Sequence, residues 1–313
     1  MSSRETHTIA MIGLGRMGAA MAAHLYEQRV TVYGIDPSAT ARQAAAQEGI
    51  ATYEKLADAI AALPTPRVVW LMVPSAHVDE ALADLQTLLT TGDVIVEGGN
   101  SFYTESQRRY RECTEAGLVF IDCGVSGGVD GARSGASLMV GGDRAAVATL
   151  EWLFVALAAP RGYAHVGGPG AGHYVKMVHN AIEYGMMGAI AEGMHTLEEK
   201  QDELAIDIRA VLDPYRHGSI ITSNLMDWLA DAYEEPEYLE KIAGVVPRGE
   251  TEPEMEYLVD NANVPVLAAA LTQRVATRTS SSRVGTLIAA MRNQFGGHST
   301  KPRPDGQPEG GEE

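Results

Sequence analysis

The sequence has few cysteines, few basic residues and no long apolar run. Its two cysteines, Cys113 and Cys123, are too few for a disulfide framework, and neither has neighbours that form a metal-binding motif. The first residues lack the apolar stretch of a secretion signal, and no apolar run is long enough to span a membrane. These absences predict a soluble, cytoplasmic protein that binds no metal ion.

Basic residues are also scarce relative to acidic ones. The chain has 41 Asp and Glu against 24 Lys and Arg, which gives a net charge of −17. This charge disfavours partners such as nucleic acid or an anionic membrane. The hydrophobic fraction of 45% is ordinary for a globular protein, and 313 residues suffice for two domains. We find no internal repeat.

The N-terminal region has the pattern of a dinucleotide-binding unit. A short apolar run, Thr8 to Ile12, precedes a helical pattern from Ala19 to Gln28 and a strand pattern from Val30 to Ile35. Between the first two lies the turn Gly13, Leu14, Gly15, Arg16, Met17 and Gly18. Its glycines permit a tight turn, close approach of a pyrophosphate and close packing of the helix. Together these features predict a nucleotide site at the N-terminus of the helix.

Asp36 closes the second strand, roughly twenty residues after the glycine turn, as the dinucleotide pattern requires. Its carboxylate should accept hydrogen bonds from the ribose hydroxyls and repel a 2′-phosphate. Although Arg42 lies close by in the sequence, the acid favours NAD over NADP as the cofactor.

Strand and helix patterns continue to alternate along this region. Further strands are predicted at Arg67 to Val73, Asp93 to Val96, Leu118 to Asp122, Ser137 to Val140 and Tyr163 to Val166. Because ligands bind outside the carboxyl ends of strands in open α/β sheets, four residues are placed beside the cofactor. These are Met72, Val73, Pro74 and Asn100. The loop from Gly124 to Gly131, with Ser126, Gly127 and Gly128, is either a ligand-binding loop or a flexible turn without a ligand.

The stretch from Gly168 to Lys200 has the pattern of one long helix that is entered through glycines. Its polar residues Lys176, His179, Asn180 and Glu183 fall at i, i+3, i+4 and i+7, so they share one face. Most other positions are apolar, which predicts a buried helix. The polar face is either a buried ion pair or polar seam, or a site in which a lysine and an acid transfer protons.

After the long helix the strand patterns end. Helices are predicted at Glu203 to Asp231, Glu237 to Ala243, Val264 to Arg278 and Ser282 to Phe295. We therefore predict an α/β Rossmann-type dinucleotide-binding domain over residues 1–167, followed by an all-helical substrate and dimerisation domain over residues 168–298. Residues 299–313 are rich in Pro, Gly and Glu and are predicted to be disordered.

Five segments in this order resemble the 6-phosphogluconate dehydrogenases: GLGRMG, EGGNSFYTESQRR, GVSGGVDGARSG, GAGHYVKMVHNAIEYG and RNQFGGH. The chain length and short helical domain are similar to the short, often NAD-linked form of that family. The resemblance extends from about Thr8 to His298. It implies a homo-oligomeric enzyme of gluconate use and the pentose phosphate pathway, with a phosphorylated sugar acid as its substrate.

The resemblance also implies roles for individual residues. Lys176 matches the general base that takes the proton from the C3 hydroxyl during hydride transfer, and Glu183 matches the general acid that protonates the enediol after CO2 is lost. Six residues match those that hold the sugar carboxylate and hydroxyls: Asn100, Ser126, Gly127, Gly128, His179 and Asn180.

Tyr184 and Arg274 match ligands of the substrate phosphate. Arg292 and His298 match residues that the family supplies from a neighbouring subunit, which implies a homodimer or homotetramer whose C-terminal residues complete the neighbour's site. Taken singly and without the resemblance, each arginine would be interpreted as surface charge on an amphipathic helix.

The segment from Gly244 to Pro253 departs from the family pattern. The family has a glycine-rich loop with a cation followed by Trp-Thr, whereas this chain has acids there and no Trp; Arg248 and Thr251 are possible substitutes. This departure supports a second hypothesis, a β-hydroxyacid dehydrogenase of the same fold that acts on another sugar acid or a small 3-hydroxy acid. A third hypothesis is a non-catalytic NAD-binding regulator. The presence of both Lys176 and Glu183 argues against it.

Overall fold

The structure is a computed structural model that describes residues 7–235 and 237–302. The chain divides into two compact units, Met1–Met177 and Val178–Glu313. The division lies inside the long helix, whereas the sequence-based domain boundary, after residue 167, lies just before it; that boundary stays a prediction. The predicted disordered tail falls largely on residues 303–313, which lie outside the described residues.

The first unit contains eight strands: β1 (Thr8–Ile12), β2 (Thr31–Ile35), β3 (Ala51–Tyr53), β4 (Val68–Leu71), β5 (Val94–Glu97), β6 (Val119–Ser126), β7 (Ala136–Gly141) and β8 (Ala158–Gly167). They form one sheet in the order β3-β2-β1-β4-β5-β6-β7-β8. The first six are parallel, β7 is antiparallel to β6, and β8 is parallel to β7. The order of the first six strands is that of a dinucleotide-binding fold. The predicted Rossmann-type α/β class is therefore confirmed.

Helices cover both faces of this sheet: α1 (Arg16–Glu27), α2 (Ala39–Gln47), α3 (Leu56–Ala62), α4 (Val78–Leu88), α5 (Tyr103–Glu115), α6 (Gly128–Ser134), α7 (Arg144–Thr149) and α8 (Glu151–Leu157). Strand residues alternate between two apolar cores. Ile9 and Met11 enter one core, and Ala10 between them enters the other. Strands buried on both faces explain the nearly continuous apolar runs of the sequence.

The long helix α9 (Ala171–Glu199) is followed by α10 (Gln201–Leu204), α11 (Ile208–Arg216), α12 (Asn224–Glu234), α13 (Tyr238–Lys241), α14 (Thr251–Asn261), α15 (Pro265–Ala276) and α16 (Arg283–Gly296). Among the described residues after Met177, every regular element is a helix, apart from an isolated bridge between Ile242 and Pro302. This confirms the all-helical class of the second unit.

Two details of the helical unit differ from prediction. The prediction of one helix from Glu203 to Asp231 is wrong, because two side chains begin new helices within this range. Asp207 accepts hydrogen bonds from the backbone of Arg209 and Ala210, and Ser223 accepts one from Met226. Helix α14 was not predicted, since its first turn carries acids and a proline rather than an apolar stripe.

The predicted burial of α9 on most sides is also wrong. Its buried stripe includes Met177, Ala181 and Met187, whereas Ile182 is 50% exposed and Met186 is 42% exposed. These two residues therefore form an exposed apolar strip on α9. Within the described residues, no helix combines the length and apolar character needed to cross a membrane.

Candidate active site

The turn between β1 and α1 has the geometry that a dinucleotide requires. Gly13 has a φ of +94°, and a Cβ at this position would collide with the backbone oxygen of Met72. A Cβ at Gly18 would collide with the carbonyl oxygen of Gly13, so α1 begins directly against the turn. Gly15 is the N-cap residue of α1, and a Cβ there would meet open space. The helix N-terminus can therefore accept an anionic pyrophosphate.

Asp36 lies directly beside this turn. Its Oδ2 accepts a hydrogen bond from the backbone N–H of Leu14 at 2.8 Å, and its Oδ1 accepts one from Ser38 at 2.8 Å. The Arg42 guanidinium donates to the carbonyl oxygens of Asp36 at 2.7 Å and Pro37 at 3.0 Å. The Arg42 guanidinium, which could attract a 2′-phosphate, is thus hydrogen-bonded to backbone carbonyls. The Asp36 carboxylate is held beside the glycine turn.

The ends of β4 and β5 meet the same turn. The Met72 N–H donates to the carbonyl oxygen of Ile12 at 2.7 Å, and Val73 lies next to Gly13. A Cβ at Gly99 would lie 2.8 Å from the carbonyl oxygen of Val73, so the loop that carries Asn100 packs on the end of β4. Pro74 follows directly. The structure therefore brings these predicted cofactor residues to one sheet edge; their contacts with a cofactor, like those of Arg16 and Met17, stay predictions.

A buried ion pair fixes the loop that carries Asn100. Glu97 is fully buried at the end of β5, and Arg109 on α5 places Nη1 3.2 Å from its Oε1. Arg109 also donates from Nε to Asp79 at 2.7 Å and from Nη1 to the Ser101 hydroxyl at 2.9 Å, while that hydroxyl donates to Glu97. Because buried charges persist only when paired and hydrogen-bonded, this network anchors both ends of the loop. It was not predicted.

The predicted ligand loop follows β6. Ser126 ends the strand, and Gly127 and Gly128 have φ values of +118° and +63°, which L side chains rarely adopt. The Gly131 N–H donates to the carbonyl oxygen of Gly127 at 2.9 Å, which closes the turn into α6. The backbone conformation thus depends on glycine at both positions. The role of the loop in binding stays a prediction.

Lys176 lies in the second turn of α9, whose start is held against β6 and β7. The buried Asp122 carboxylate accepts hydrogen bonds from the backbone N–H groups of Gly170 at 2.7 Å and His173 at 3.0 Å, so a strand residue caps the helix. A Cβ at Gly124 would collide with the Lys176 Cβ. The half-buried Lys176 is therefore placed beside the strand that leads to Ser126.

His179, Asn180 and Glu183 follow on the same helix face. The His179 Nδ1 lies 3.4 Å from the Asn180 Oδ1 and 3.8 Å from the Glu183 Oε2. The Asn180 Nδ2 donates to the Oε2 of Glu254 on α14 at 3.2 Å. Glu183 lies two helical turns after Lys176, a rise of roughly 10 Å. One helix face thus carries a cation, an imidazole, an amide and an acid.

A cluster of arginines surrounds Tyr184, which is buried one residue further along α9. The Arg274 guanidinium carbon lies 4.2 Å from the Tyr184 ring centroid, and that of Arg292 lies 5.9 Å from it. Arg274 is 1% exposed and Arg292 is 6% exposed. Among the described residues, the Arg292 Nε is buried without a hydrogen-bond partner. Two desolvated cations on one ring make a site for an anion.

The segment from Gly244 to Pro253 supplies the rest of this cluster. Arg274 donates to the Thr251 hydroxyl at 3.0 Å and to the carbonyl oxygen of Pro247 at 3.2 Å. Thr251 thus joins the cluster, as considered from the sequence. Arg248 is 59% exposed, pairs with Glu256 at 3.0 Å and lies 3.8 Å from Glu252 at the edge of the cluster. Burial lowers the pKa of Arg274, and the neighbouring charge of Arg292 lowers it further.

Glu252 is the counter-ion of this cluster. It is fully buried, lies 3.2 Å from the Arg274 Nε and accepts two hydrogen bonds from Arg278 at 2.7 and 2.9 Å. Burial by itself would raise the pKa of the Glu252 carboxyl, but the hydrogen bonds from Arg278 and the charge of Arg274 hold this pKa below its ordinary value. The acid therefore stays ionised and balances part of the arginine charge.

Two residues were expected to contribute to the site of a neighbouring subunit. Within its own chain, Arg292 lies 5.9 Å from the Tyr184 ring centroid, and its role in a neighbouring site stays a prediction. His298 is exposed, and its ring packs edge-on to Phe295 at 6.0 Å. Its role in a neighbouring site stays a prediction.

The buried acids Glu252 and Glu254 were not singled out from the sequence. Both are buried in the first turn of α14, although acids at a helix start usually face solvent. The available signal was the order Thr251, Glu252, Pro253 and Glu254, which is typical of a helix N-terminus. This order predicts the helix, but it does not predict that the side chains of Glu252 and Glu254 are buried.

The sheet order, the glycine turn, Asp36 and the lysine-bearing helix define a nucleotide-dependent oxidoreductase with an NAD-binding domain. The profile described as the NAD binding domain of 6-phosphogluconate dehydrogenase matches residues 8–168, and that of the 6-phosphogluconate dehydrogenase C-terminal domain matches residues 172–202. The chain belongs to the 6-phosphogluconate dehydrogenase family.

Two relatives match over nearly their whole length. A Bacillus subtilis (strain 168) protein named "Putative 6-phosphogluconate dehydrogenase YqeC" is 40% identical over 94% of this chain and 99% of its own. The NAD(+)-dependent, decarboxylating 6-phosphogluconate dehydrogenase of Haloferax volcanii is 37% identical over 95% of this chain and 99% of its own.

Solved structures agree on the fold. The Plasmodium falciparum 6-phosphogluconate dehydrogenase, described with NADP+ and with 6-phosphogluconate, matches with a TM-score of 0.77 and 27% identity over 86% of this chain and 62% of its own. Mycobacterium tuberculosis 3-hydroxyisobutyrate dehydrogenase matches with a TM-score of 0.69 and 23% identity over 92% of this chain and all of its own, which shows a shared fold.

Proposed function

We propose that this protein converts 6-phospho-D-gluconate to D-ribulose 5-phosphate and CO2 with reduction of NAD. The observation that carries this proposal is the set of groups along α9: Lys176, His179, Asn180 and Glu183 on one face, followed by Tyr184 with its two buried arginines. A substrate with a hydroxyl to oxidise, a carboxylate to lose and a phosphate to anchor needs such groups.

In the proposed reaction, the two groups that transfer protons, Lys176 and Glu183, lie at opposite ends of the polar face. NAD, when bound, accepts the hydride from C3 of the substrate. Lys176 takes the proton of the C3 hydroxyl, so that a 3-keto acid forms. The keto group accepts the electrons of the C1–C2 bond as CO2 leaves, and protonated Lys176 returns its proton to the resulting oxygen. Glu183 then protonates the former C2, which becomes C1 of ribulose 5-phosphate, while Lys176, now neutral, takes back the proton of the C3 hydroxyl as the ketone forms.

Charge balance supports a phosphate in the arginine cluster. Arg274, Arg278 and Arg292 carry three positive charges, and Glu252 supplies one negative charge. The excess of two positive charges suits a phosphate monoester, which carries about two negative charges near neutral pH. In a chain with a net charge of −17, a positive excess around two buried arginines, Arg274 and Arg292, is more informative than a single surface arginine.

The Asp36 carboxylate beside the glycine turn favours NAD, because a 2′-phosphate would approach a fixed negative charge. The hydrogen bonds of Arg42 to backbone carbonyls also favour NAD, since Arg42 would have to leave them to bind a 2′-phosphate.

The second candidate is an NAD-dependent β-hydroxyacid dehydrogenase that acts on another sugar acid or a small 3-hydroxy acid. The buried acids Glu252 and Glu254 favour it, because they lie in the segment that departs from the family pattern. Glu254 in particular contacts Asn180, a predicted ligand of the sugar. On this hypothesis these acids would select a substrate with a less charged distal group.

We expect that 6-phosphogluconate will give NADH and CO2 in equal amounts, with a preference for NAD over NADP. The measurement is absorbance at 340 nm with either cofactor, with CO2 release followed in parallel. Reduction of NAD with gluconate or a 3-hydroxy acid, but not with 6-phosphogluconate, would favour the second candidate. Reduction of NAD without CO2 would exclude decarboxylation.

We also propose that the protein forms a homodimer or homotetramer. The exposed Ile182 and Met186 lie four residues apart on α9, so they form an apolar strip that a second copy would cover. Light scattering after gel filtration should give a mass of about twice or four times that of the chain at micromolar concentration. A single-chain mass would contradict this proposal, and with it the expected contribution of His298 to a neighbouring site.

A further inference from the structure

Gly249 lies where the two buried arginines of the cluster converge. A Cβ at this position would be 3.6 Å from the Arg274 Nη2 and 3.8 Å from the Arg292 Nη2. Gly249 itself is half-buried, so solvent reaches this position. A side chain here would therefore cover the end of both guanidinium groups, whereas glycine leaves both of them uncovered on this side.

Arg274 has one N–H group left for a ligand on this side. A guanidinium group carries five N–H donors. The Nε lies 3.2 Å from a Glu252 oxygen, and Nη1 faces the Thr251 hydroxyl at 3.0 Å and the Met255 sulfur at 3.9 Å. The Nη2 donates one N–H to the carbonyl oxygen of Pro247 at 3.2 Å. The fifth N–H belongs to Nη2, the atom that faces the uncovered position.

Arg292 adds a buried charge without a counter-ion. It is 6% exposed, and within residues 7–235 and 237–302 its side chain has neither an ion pair nor a hydrogen bond. Its contact with the Tyr184 ring, at 5.9 Å, does not neutralise its charge. Because a buried charge is costly unless it is paired, the Arg292 guanidinium needs an anion from outside this part of the chain.

Resting on the proposed function, we propose that Gly249 is the specificity-determining residue for the distal end of the substrate. Glycine leaves Arg274 and Arg292 open to a doubly charged group such as a phosphate monoester. Any side chain would place a carbon atom in van der Waals contact with both Nη2 atoms. An acidic side chain would also bind the arginines in place of the anion. The residue at position 249 therefore decides between a phosphorylated and an unphosphorylated sugar acid.

The test compares Gly249→Asp with Gly249→Asn, which add side chains of nearly equal size and different charge. The φ of Gly249 lies outside the left-handed region, so an L side chain fits its backbone. We expect G249D to lower the ratio of kcat/KM for 6-phosphogluconate to kcat/KM for gluconate by about a hundredfold or more, since its carboxylate takes the charged hydrogen bonds of the phosphate. G249N should lower this ratio by about tenfold, through size alone. KM for NAD should stay unchanged in both variants.

The matched control is Asn263→Asp, which makes the same change from amide to carboxylate at an exposed position between α14 and α15. We expect its ratio to stay within about twofold of the parent value, because an isolated surface substitution has little effect. Equal ratios in G249D and G249N would overturn the proposal, since the position would then not act through the arginine charges. A parent ratio that neither variant changes would overturn it as well.

A second readout needs no turnover. Isothermal titration with inorganic phosphate is carried out on the protein saturated with NAD, so that the glycine turn of α1 is occupied. The parent should bind phosphate, and G249D should bind it at least about tenfold more weakly. Equal affinities in the two proteins, or no binding to the parent, would contradict the proposal.

This titration separates the Gly249 proposal from the proposed reaction. Phosphate binding that G249D abolishes, in a parent that does not turn over 6-phosphogluconate, would support the role of Gly249 and contradict the reaction. Turnover of 6-phosphogluconate by the parent, with phosphate affinity unchanged in G249D, would support the reaction and overturn the role of Gly249.

Discussion

Replacing Lys176 by Met should lower kcat by at least about a thousandfold, because the variant loses the base that takes the C3 proton. Methionine keeps the aliphatic stem beside Gly124, so the packing of the first turns of α9 against β6 is preserved. The affinity for NAD should change by less than about twofold, since NAD is predicted to bind at the glycine turn of α1. Steady-state kinetics give kcat. A titration with NAD, monitored by fluorescence, gives the affinity for NAD.

The matched control is Lys200→Met. Lys200 directly follows the same helix and is 56% exposed, with an ion pair to Glu203. The same chemical change there should leave kcat unchanged. If Lys176→Met reduced NAD affinity and kcat by equal factors, with a lower melting temperature, the lysine would be structural. If turnover survived, the lysine would not be the base, and the hypothesis of a non-catalytic regulator would fail with it.

Replacing Arg274 by Met should raise KM for 6-phosphogluconate by about a hundredfold, the effect of losing charged hydrogen bonds worth about 3 kcal/mol. The effect should be this large because Arg274 is 1% exposed, so water cannot take its place. Inhibition by inorganic phosphate should weaken in parallel, and KM for NAD should stay unchanged. The KM of Arg274→Lys for 6-phosphogluconate should lie between those of the parent and of Arg274→Met, since lysine keeps the charge but not the planar guanidinium group.

Arg248→Met is the control for this prediction. Arg248 lies in the segment that replaces the family's phosphate-binding loop, but it is 59% exposed and paired with Glu256. Its replacement should change KM by less than about twofold. A large effect at Arg248 and a small one at Arg274 would locate the phosphate outside the arginine cluster. Loss of kcat and of NAD affinity together in Arg274→Met would instead indicate that the helical unit no longer folds.

Much of the nucleotide-binding unit followed from the sequence alone. The glycine turn, the acid at position 36 and seven of the eight strands could be predicted, because each depends on short-range features: apolar runs, glycine at required backbone angles and fixed spacing. The missed strand, β3, has only three residues, which is too short for a periodic pattern. The polar face of α9 was likewise predicted from its 3.6-residue period.

Only the tertiary structure decided what surrounds that face. Asp122 caps α9 from a strand about fifty residues earlier, and Glu254 reaches Asn180 from more than seventy residues later. Arg292 joins Arg274 at Tyr184 of its own chain. No periodic pattern predicts such contacts, because the direction of a buried charge depends on which distant partner neutralises it. The sequence by itself determined the nucleotide-binding fold and the order of groups along α9, whereas the packing of distant helices decided which charges meet them.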